Sequence, residues 1–244
     1  MDCACLLSGA YLPSQAIRGK PMQDVLEGYA TAATADFIAA YDGLSPESIY
    51  EHVIDLFPSR NARVADIGAG TGRDAAWFAL NGHDVLAVEP VLELREAGRA
   101  LHTAGNIKWL DDRLPHLGAV PPSASFDLVT LCAVWQHLTD EDRMTAMSRL
   151  ATVIAPGGVL IMSLRNGPGA IGRRVYPVSP DLTVEMAKAS GLRLVRRQEA
   201  NSVQAENQAM GVSWTWLAFE KVREQDAARR HLSSPFAWIP NSSL

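Results

Sequence analysis

The chain has 244 residues, 48% of them hydrophobic and 20% charged, with a formal charge of −5. A chain of this length buries about three quarters of its unfolded surface and needs no disulfide or metal staple; its composition excludes collagen-like, disordered and disulfide-scaffold classes. The apolar runs at 128–135 and 159–162 fall short of the roughly 18 residues that cross a bilayer, and Cys3, Cys5 and Cys132 form neither a bridge framework nor a metal cage, so a reducing cytoplasm is expected.

Residues 1–28 read as an N-terminal extension. The segment 5–11 is mildly apolar, but Asp2 stands where an export signal needs positive charge, and Met22 is a candidate biological start. Helical spacing runs over 29–41, and Ser45-Pro46 opens a helix expected to reach Phe57. From Arg63 onward, runs rich in Val, Ile and Leu alternate with helical patterns, the signature of βαβ units and a parallel sheet. Strands are predicted at 64–67, 85–89, 107–110, 126–131, 158–164, 192–198 and 213–219. Between them, helices are predicted at 71–80, stopping before Gly82, and at 92–102, ahead of Gly105. A third, at 140–153, has Asp140 as its cap and Glu141 and Asp142 in its first turn, and a fourth runs from Ser179-Pro180 to Gly191. Residues 222–244, which include Phe236 and Trp238, read as a tail on a domain spanning 29–221.

The strongest signal is Val64-Ala65-Asp66-Ile67-Gly68-Ala69-Gly70-Thr71-Gly72, a strand ending in a glycine turn that opens a helix. Such a turn lets the backbone approach a ligand and offers helix N–H groups to it. The next strand ends in Glu89, and an acid at that tip suits a pair of ribose hydroxyls, which implies a nucleoside. The dinucleotide fingerprint is G-x-G-x-x-G; here the spacing is Gly68-x-Gly70-x-Gly72, followed by Arg73, with Asp66 two residues ahead, which is wrong for NAD.

On these residues the chain resembles the class I S-adenosylmethionine-dependent methyltransferases, over about 29–221. Asp66 to Gly72 resembles their first motif, and Glu89, followed by Pro90, matches the acid that holds the adenosine ribose. Asp111 or Asp112 resembles the acid that meets the adenine amino group, with the choice between them open. Phe126-Asp127-Leu128-Val129, leading to Leu131, resembles the fourth-strand motif, and Ala155-Pro156-Gly157-Gly158 the turn before strand five. The resemblance implies a Rossmann-like α/β fold: a seven-stranded, mostly parallel sheet with helices on both faces and the last strand antiparallel. It also implies S-adenosyl-L-methionine as cofactor and S-adenosyl-L-homocysteine as product. Trp214 and Trp216 fall on one face of that last strand, where core packing is the favoured reading.

A sulfonium is already an activated methyl donor, so the protein need only align a nucleophile in line, exclude water and take a proton. Acceptor residues should lie in loops beyond the carboxyl ends of the strands and in the N-terminal helices. The loop after strand four, Cys132-Ala133-Val134-Trp135-Gln136-His137-Leu138, lacks the Asn/Asp-Pro-Pro-Tyr/Phe and Pro-Cys patterns of enzymes that methylate base amines or cytosine carbon. His137 is the candidate general base, balanced against a backbone-bonding role, and Trp135 is a candidate substrate contact. Arg165, after strand five, can clamp a carboxylate or phosphate, whereas Arg173 and Arg174 read as solvated loop residues. Tyr29 and Tyr41 are candidates to close over the acceptor. The histidines at 52, 83, 102, 116 and 231 read as surface or helix-end residues and give no metal spacing.

The leading expectation is a cytoplasmic methyltransferase acting on a small-molecule acceptor, an anionic one among the candidates, with no membrane or nucleic-acid partner and the oligomeric state open. The runner-up is an RNA or protein methyltransferase, for which Arg193-Arg196-Arg197 and Arg223-Arg229-Arg230 speak, although Arg196 and Arg197 would face opposite sides of a strand. A non-catalytic adenosylmethionine-binding module and an NAD-dependent oxidoreductase complete the alternatives.

Overall fold

Strands β1 (Arg63–Ile67), β2 (Asp84–Val88), β3 (Ile107–Leu110), β4 (Phe126–Leu131), β5 (Ile154–Asn166), β6 (Leu192–Asn201) and β7 (Ser213–Lys221) form one sheet in the order β3-β2-β1-β4-β5-β7-β6. Pairing is parallel from β3 through β5, and β7 runs antiparallel to both β5 and β6, as expected. The computed structural model describes residues 21–121 and 125–223. Of the extension expected over 1–28, residues 1–20, with Cys3 and Cys5, lie outside the described residues, as do tail residues 224–244, with Arg229, Arg230, Phe236 and Trp238. Residues 21–28 instead belong to a helix that buries Val25.

Helices α1 (Pro21–Ala32), α2 (Ala35–Asp42) and α3 (Pro46–Ile49) precede the sheet, and α4 (Arg73–Leu80), α5 (Leu92–Leu101), α6 (Asp140–Val153) and α7 (Pro180–Ala189) connect its strands. A short α8 (Ala205–Ala209) sits between β6 and β7. Period-two alternation sends β1 side chains to two cores: Ala65 and Ile67 join a cluster with Leu150 and Ala187, and Val64 joins one with Tyr50 and Phe78. Burial on both faces explains why the central strands read as near-continuous apolar runs.

Three helix expectations need correction. The single helix over 29–41 is two, because Thr34 turns the chain and accepts the Phe37 N–H as the N-cap of α2. The helix from Ser45 to Phe57 ends at Ile49 and resumes as a 3₁₀ turn at Ile54–Leu56. Tertiary packing overrides the local period there: Tyr50 is 1% exposed, its ring lies against Phe57 and Trp216, and its hydroxyl donates to Asp74 Oδ2 at 2.9 Å. The cap of α6 is Thr139, whose Oγ1 accepts the Asp142 N–H, so Asp140 is the first helical residue. His83, expected at the surface, is buried and its Nδ1 accepts the Ala62 N–H.

The strand order reverses between β1 and β4, and in open α/β sheets the crevice at that point takes the ligand. The glycine turn after β1 and the loop after β4 flank it.

Candidate functional site

A cavity of about 550 Å³ opens at this crevice. Its floor is the glycine turn and the end of β4; its walls come from α1, α2, the chain after β5 and the β6–β7 connection. Gly68, Gly70 and Gly72 hold positive φ of 76°, 58° and 80°. They play different parts. A Cβ on Gly68 would strike Val134, and one on Gly72 would strike Trp109, whereas at Gly70 nothing lies within 4 Å. Gly70 therefore faces open space that a side chain would fill, as a cofactor cradle requires.

Beneath the turn, Asp66 is 2% exposed. Its Oδ1 accepts from Thr130 at 2.9 Å and its Oδ2 has no partner among the described residues, an orphaned acceptor that suits an ammonium donor. Burial and then the neighbouring Asp74 push the Asp66 carboxyl up. Asp74 itself is held by Arg73 through Nε at 2.7 Å and by a second guanidinium nitrogen at 2.9 Å, and Arg73 also reaches the Tyr41 carbonyl. Gly68, Gly70 and Arg73 line the cavity, while Glu89 borders Gly70 from outside it. The Glu89 carboxylate accepts the Gly70 N–H at 2.8 Å and the Val91 N–H at 2.7 Å, and burial pushes it up to about 7 against these donors.

Other expected cofactor residues separate by environment. Asp112 is committed to a turn, accepting the N–H groups of Arg113, Ala119 and Val120. Asp111 is 67% exposed in its side chain and bonds only Arg95 among the described residues, which leaves it the acid of the two with free acceptor capacity. Arg95, 6% exposed, also donates to the Glu89 carbonyl at 2.7 Å, a positioning role the sequence did not suggest. Pro90 follows Glu89 half-buried at the strand tip. Leu131 is fully buried in the core and does not line the cavity.

On the acceptor side, Tyr29, Tyr41, His137 and Arg165 all line the cavity. Trp135 does not: it is 0% exposed in the core, with its Nε1 directed at Thr183, because the 3₁₀ turn Trp135–His137 sends consecutive side chains in different directions. Trp214 and Trp216 line the cavity even though Trp216 is 4% exposed, so the core reading of that pair is incomplete. Arg173 is also no solvated loop residue. It is half-buried, lines the cavity and stands 5.2 Å from the ring centres of both Tyr29 and Phe37. Arg174 is exposed and pairs with Asp24.

The His137 tautomer follows from its partners. Nδ1 lies 2.6 Å from the Arg174 carbonyl, which can only accept, so Nδ1 carries the proton. Burial, with the fields of Arg173 and Arg165, keeps the ring below its ordinary value and neutral. Nε2 is then the unprotonated nitrogen; the Tyr29 hydroxyl donates to it at 3.1 Å and the Gln136 amide Nε2 lies 3.4 Å away. Burial, followed by Tyr41, raises the Tyr29 phenol, so this hydroxyl keeps its proton. Ala133, at φ 59°, turns the chain into this loop, and its N–H is held by Ser163 Oγ. Gln136 is 2% exposed and lines the cavity with an unpartnered Oε1. Neither Ser163 nor Gln136 carried a sequence signal. Among the described residues no group of three His, Cys, Asp or Glu is placed to hold a metal, and no helix is long and apolar enough to cross a membrane.

Residues 65–162 match the family model described as a methyltransferase domain. An uncharacterized methyltransferase of Mycobacterium tuberculosis is 33% identical over 125 residues, 48% of this chain and 61% of that protein. A ubiquinone biosynthesis O-methyltransferase of Bradyrhizobium is 31% identical over 104 residues, 43% of this chain and 40% of that protein. The match thus spans less than two thirds of either relative. Among solved structures, the 1,6-didemethyltoxoflavin-N1-methyltransferase of Burkholderia thailandensis superposes with a TM-score of 0.62 at 20% identity, covering 82% of this chain and 87% of that one.

Proposed function

We propose, from the premise that this chain carries a class I S-adenosylmethionine-dependent methyltransferase domain, that it is an enzyme transferring a methyl group to a protic small-molecule acceptor in the cytoplasm. When bound, S-adenosylmethionine supplies a methyl group already activated on a sulfonium. The chain's own residues then have three tasks: to hold the cofactor, to seat the acceptor and to take its proton.

Asp66, through its unpartnered oxygen, Gly70, through its open face, Glu89 and Asp111 are the residues assigned to the cofactor. The acceptor is assigned to the wall made by Tyr29, Tyr41 and Arg165. Tyr29 and His137 form the proton path: the tyrosine oxygen accepts the acceptor's proton while its own passes to His137 Nε2, and the Arg174 carbonyl steadies the imidazolium through Nδ1. The observation that carries this reading is the Tyr29–His137–Arg174 hydrogen-bond chain, which ends in a neutral histidine on the cavity wall. The small-molecule preference is supported by the cavity volume, about 550 Å³, and by the structural relative solved with 1,6-didemethyltoxoflavin bound. Of the two arginine clusters that favoured an RNA substrate, the first is occupied: Arg193 pairs with Glu220, Arg196 with Asp55 and Arg197 with Asp181.

Calorimetric titration with S-adenosylmethionine, S-adenosylhomocysteine and NAD tests the cofactor, and S-adenosylhomocysteine release with a panel of phenols and amines tests turnover. Binding of the first two ligands alone is expected. Retention of NAD, or no binding of either sulfur ligand, would overturn the assignment, and binding without turnover of any acceptor would leave a non-catalytic module.

A further inference from the structure

Among the described residues, two guanidinium groups in the cavity wall form no ion pair, whereas the third on that wall, Arg73, is matched with Asp74. Among the described residues, Arg165 and Arg173 have no carboxylate within ion-pair distance. The partners of Arg165 are all neutral: the Pro168 carbonyl at 2.9 and 2.7 Å, Asn207 Oδ1 at 3.2 Å and the Trp214 ring at 5.5 Å. Arg173 stands over Tyr29 and Phe37, and its Nε is buried without a hydrogen-bond partner. Both arginines line the one cavity that contains His137.

Two like charges on one half-buried wall are unfavourable, since burial and mutual repulsion both act against them. Burial, and less strongly the field of Arg173, lower the Arg165 value against Tyr29 and Tyr41, which raise it. An anion placed between them offsets both terms. The flanking groups narrow its nature, because Tyr29, Phe37, Tyr41, Trp214 and Trp216 supply flat apolar faces on the same cavity. A planar oxyanion matches a guanidinium fork, and an aromatic body matches those faces.

We propose that the methyl acceptor is an aromatic acid whose carboxylate is held by Arg165 and Arg173, with its protic nucleophile directed to the Tyr29–His137 pair. This rests on the methyltransferase reading above and makes Arg173 a specificity-determining residue alongside Arg165.

The test uses the full chain and two probes of nearly the same shape, 4-hydroxybenzoate and the neutral 4-hydroxybenzamide, titrated calorimetrically with and without saturating S-adenosylhomocysteine. The acid is expected to bind at least about tenfold more tightly than the amide. R165Q and R173Q should each reduce acid affinity about tenfold and leave amide and S-adenosylhomocysteine affinities unchanged. Equal binding of acid and amide, absence of acid binding at millimolar concentration, or unaltered acid affinity in both variants would overturn the proposal. The wild-type acid-to-amide ratio decides the matter even if a variant fails to fold. Failure of S-adenosylhomocysteine to bind would instead overturn the cofactor assignment, while the ratio measured without it still judges the arginines.

Discussion

The part of the crevice assigned to the cofactor and the part assigned to the acceptor are built in opposite ways. The cofactor half is local: Asp66, Gly68, Gly70 and Arg73 lie on one strand, turn and helix, and Glu89 meets Gly70 from 19 residues away. The acceptor half is assembled across the chain: Tyr29 and His137 are separated by 108 residues, Arg174 and Asp24 by 150. Local chemistry leaves a mark in the sequence because turn geometry dictates residue type. A wall made of converging segments leaves none, because each residue obeys only the neighbours that folding brings to it.

If the halves are separable, damage to one should spare the other. The largest effect is expected from His137→Ala, which should lower kcat by about 10²–10⁴-fold, the usual worth of a positioned base, with S-adenosylmethionine affinity unchanged. Loss of cofactor binding in that variant would break the division. Because burial holds the His137 value below its ordinary 6.5, the base stays available through neutrality, and kcat should fall only as the pH drops below that value. Gly70→Ala should do the reverse. Overpacking costs about 1–3 kcal/mol, so the cofactor Kd should rise about 5- to 150-fold while the Kd for 4-hydroxybenzoate stays put. Gly68→Ala, whose Cβ would strike Val134, should appear in thermal denaturation; if Gly70→Ala proves the less stable of the two, the cradle has been misassigned.

A smaller and pH-dependent effect is expected at Glu89. Its folded value of about 7 lies above the ordinary 4.5, so the fold favours the protonated form. The stability gained is full below about 4.5 and is lost as the pH rises through about 7. The Tm of the ligand-free protein should therefore fall between pH 5 and 8, and fall less in Glu89→Gln. Parallel curves would show that Glu89 does not carry the effect. Least of all should come from Asp24→Ala, which breaks an exposed pair with Arg174 and should change stability by about 1 kcal/mol at most, against a clear loss of acid binding in Arg173→Gln.

Much of the sheet was legible. The alternation of apolar runs with helical spacing placed all seven strands, most directly the central ones that are buried on both faces, whereas β6 buries only Leu192. The terminal bounds of β5, β6 and β7 were short of the structure, since edge pairing continues after the apolar run stops. In the site, the glycine turn and Glu89 were visible, and so was the cavity position of Tyr29, Tyr41, His137 and Arg165. Trp135 and Arg173 were exchanged: a residue expected at the substrate lies in the core, and one expected in solvent lies on the wall. Periodicity cannot distinguish these cases in a 3₁₀ turn or an irregular loop, where no repeat defines an inner face. That Asp112 closes a turn by accepting three N–H groups, while Asp111 does not, was likewise invisible in the sequence.

Helix α1 meets the loop after β5 at Gly28, where a Cβ would overlap the Gly172 carbonyl. That contact sets how closely the helix carrying Tyr29 approaches the loop carrying Arg173, whose guanidinium stands 5.2 Å from the Tyr29 ring centre. An alanine or serine at position 28 would push helix and loop apart, so the closeness of Tyr29 to Arg173 depends on a residue that has no side chain.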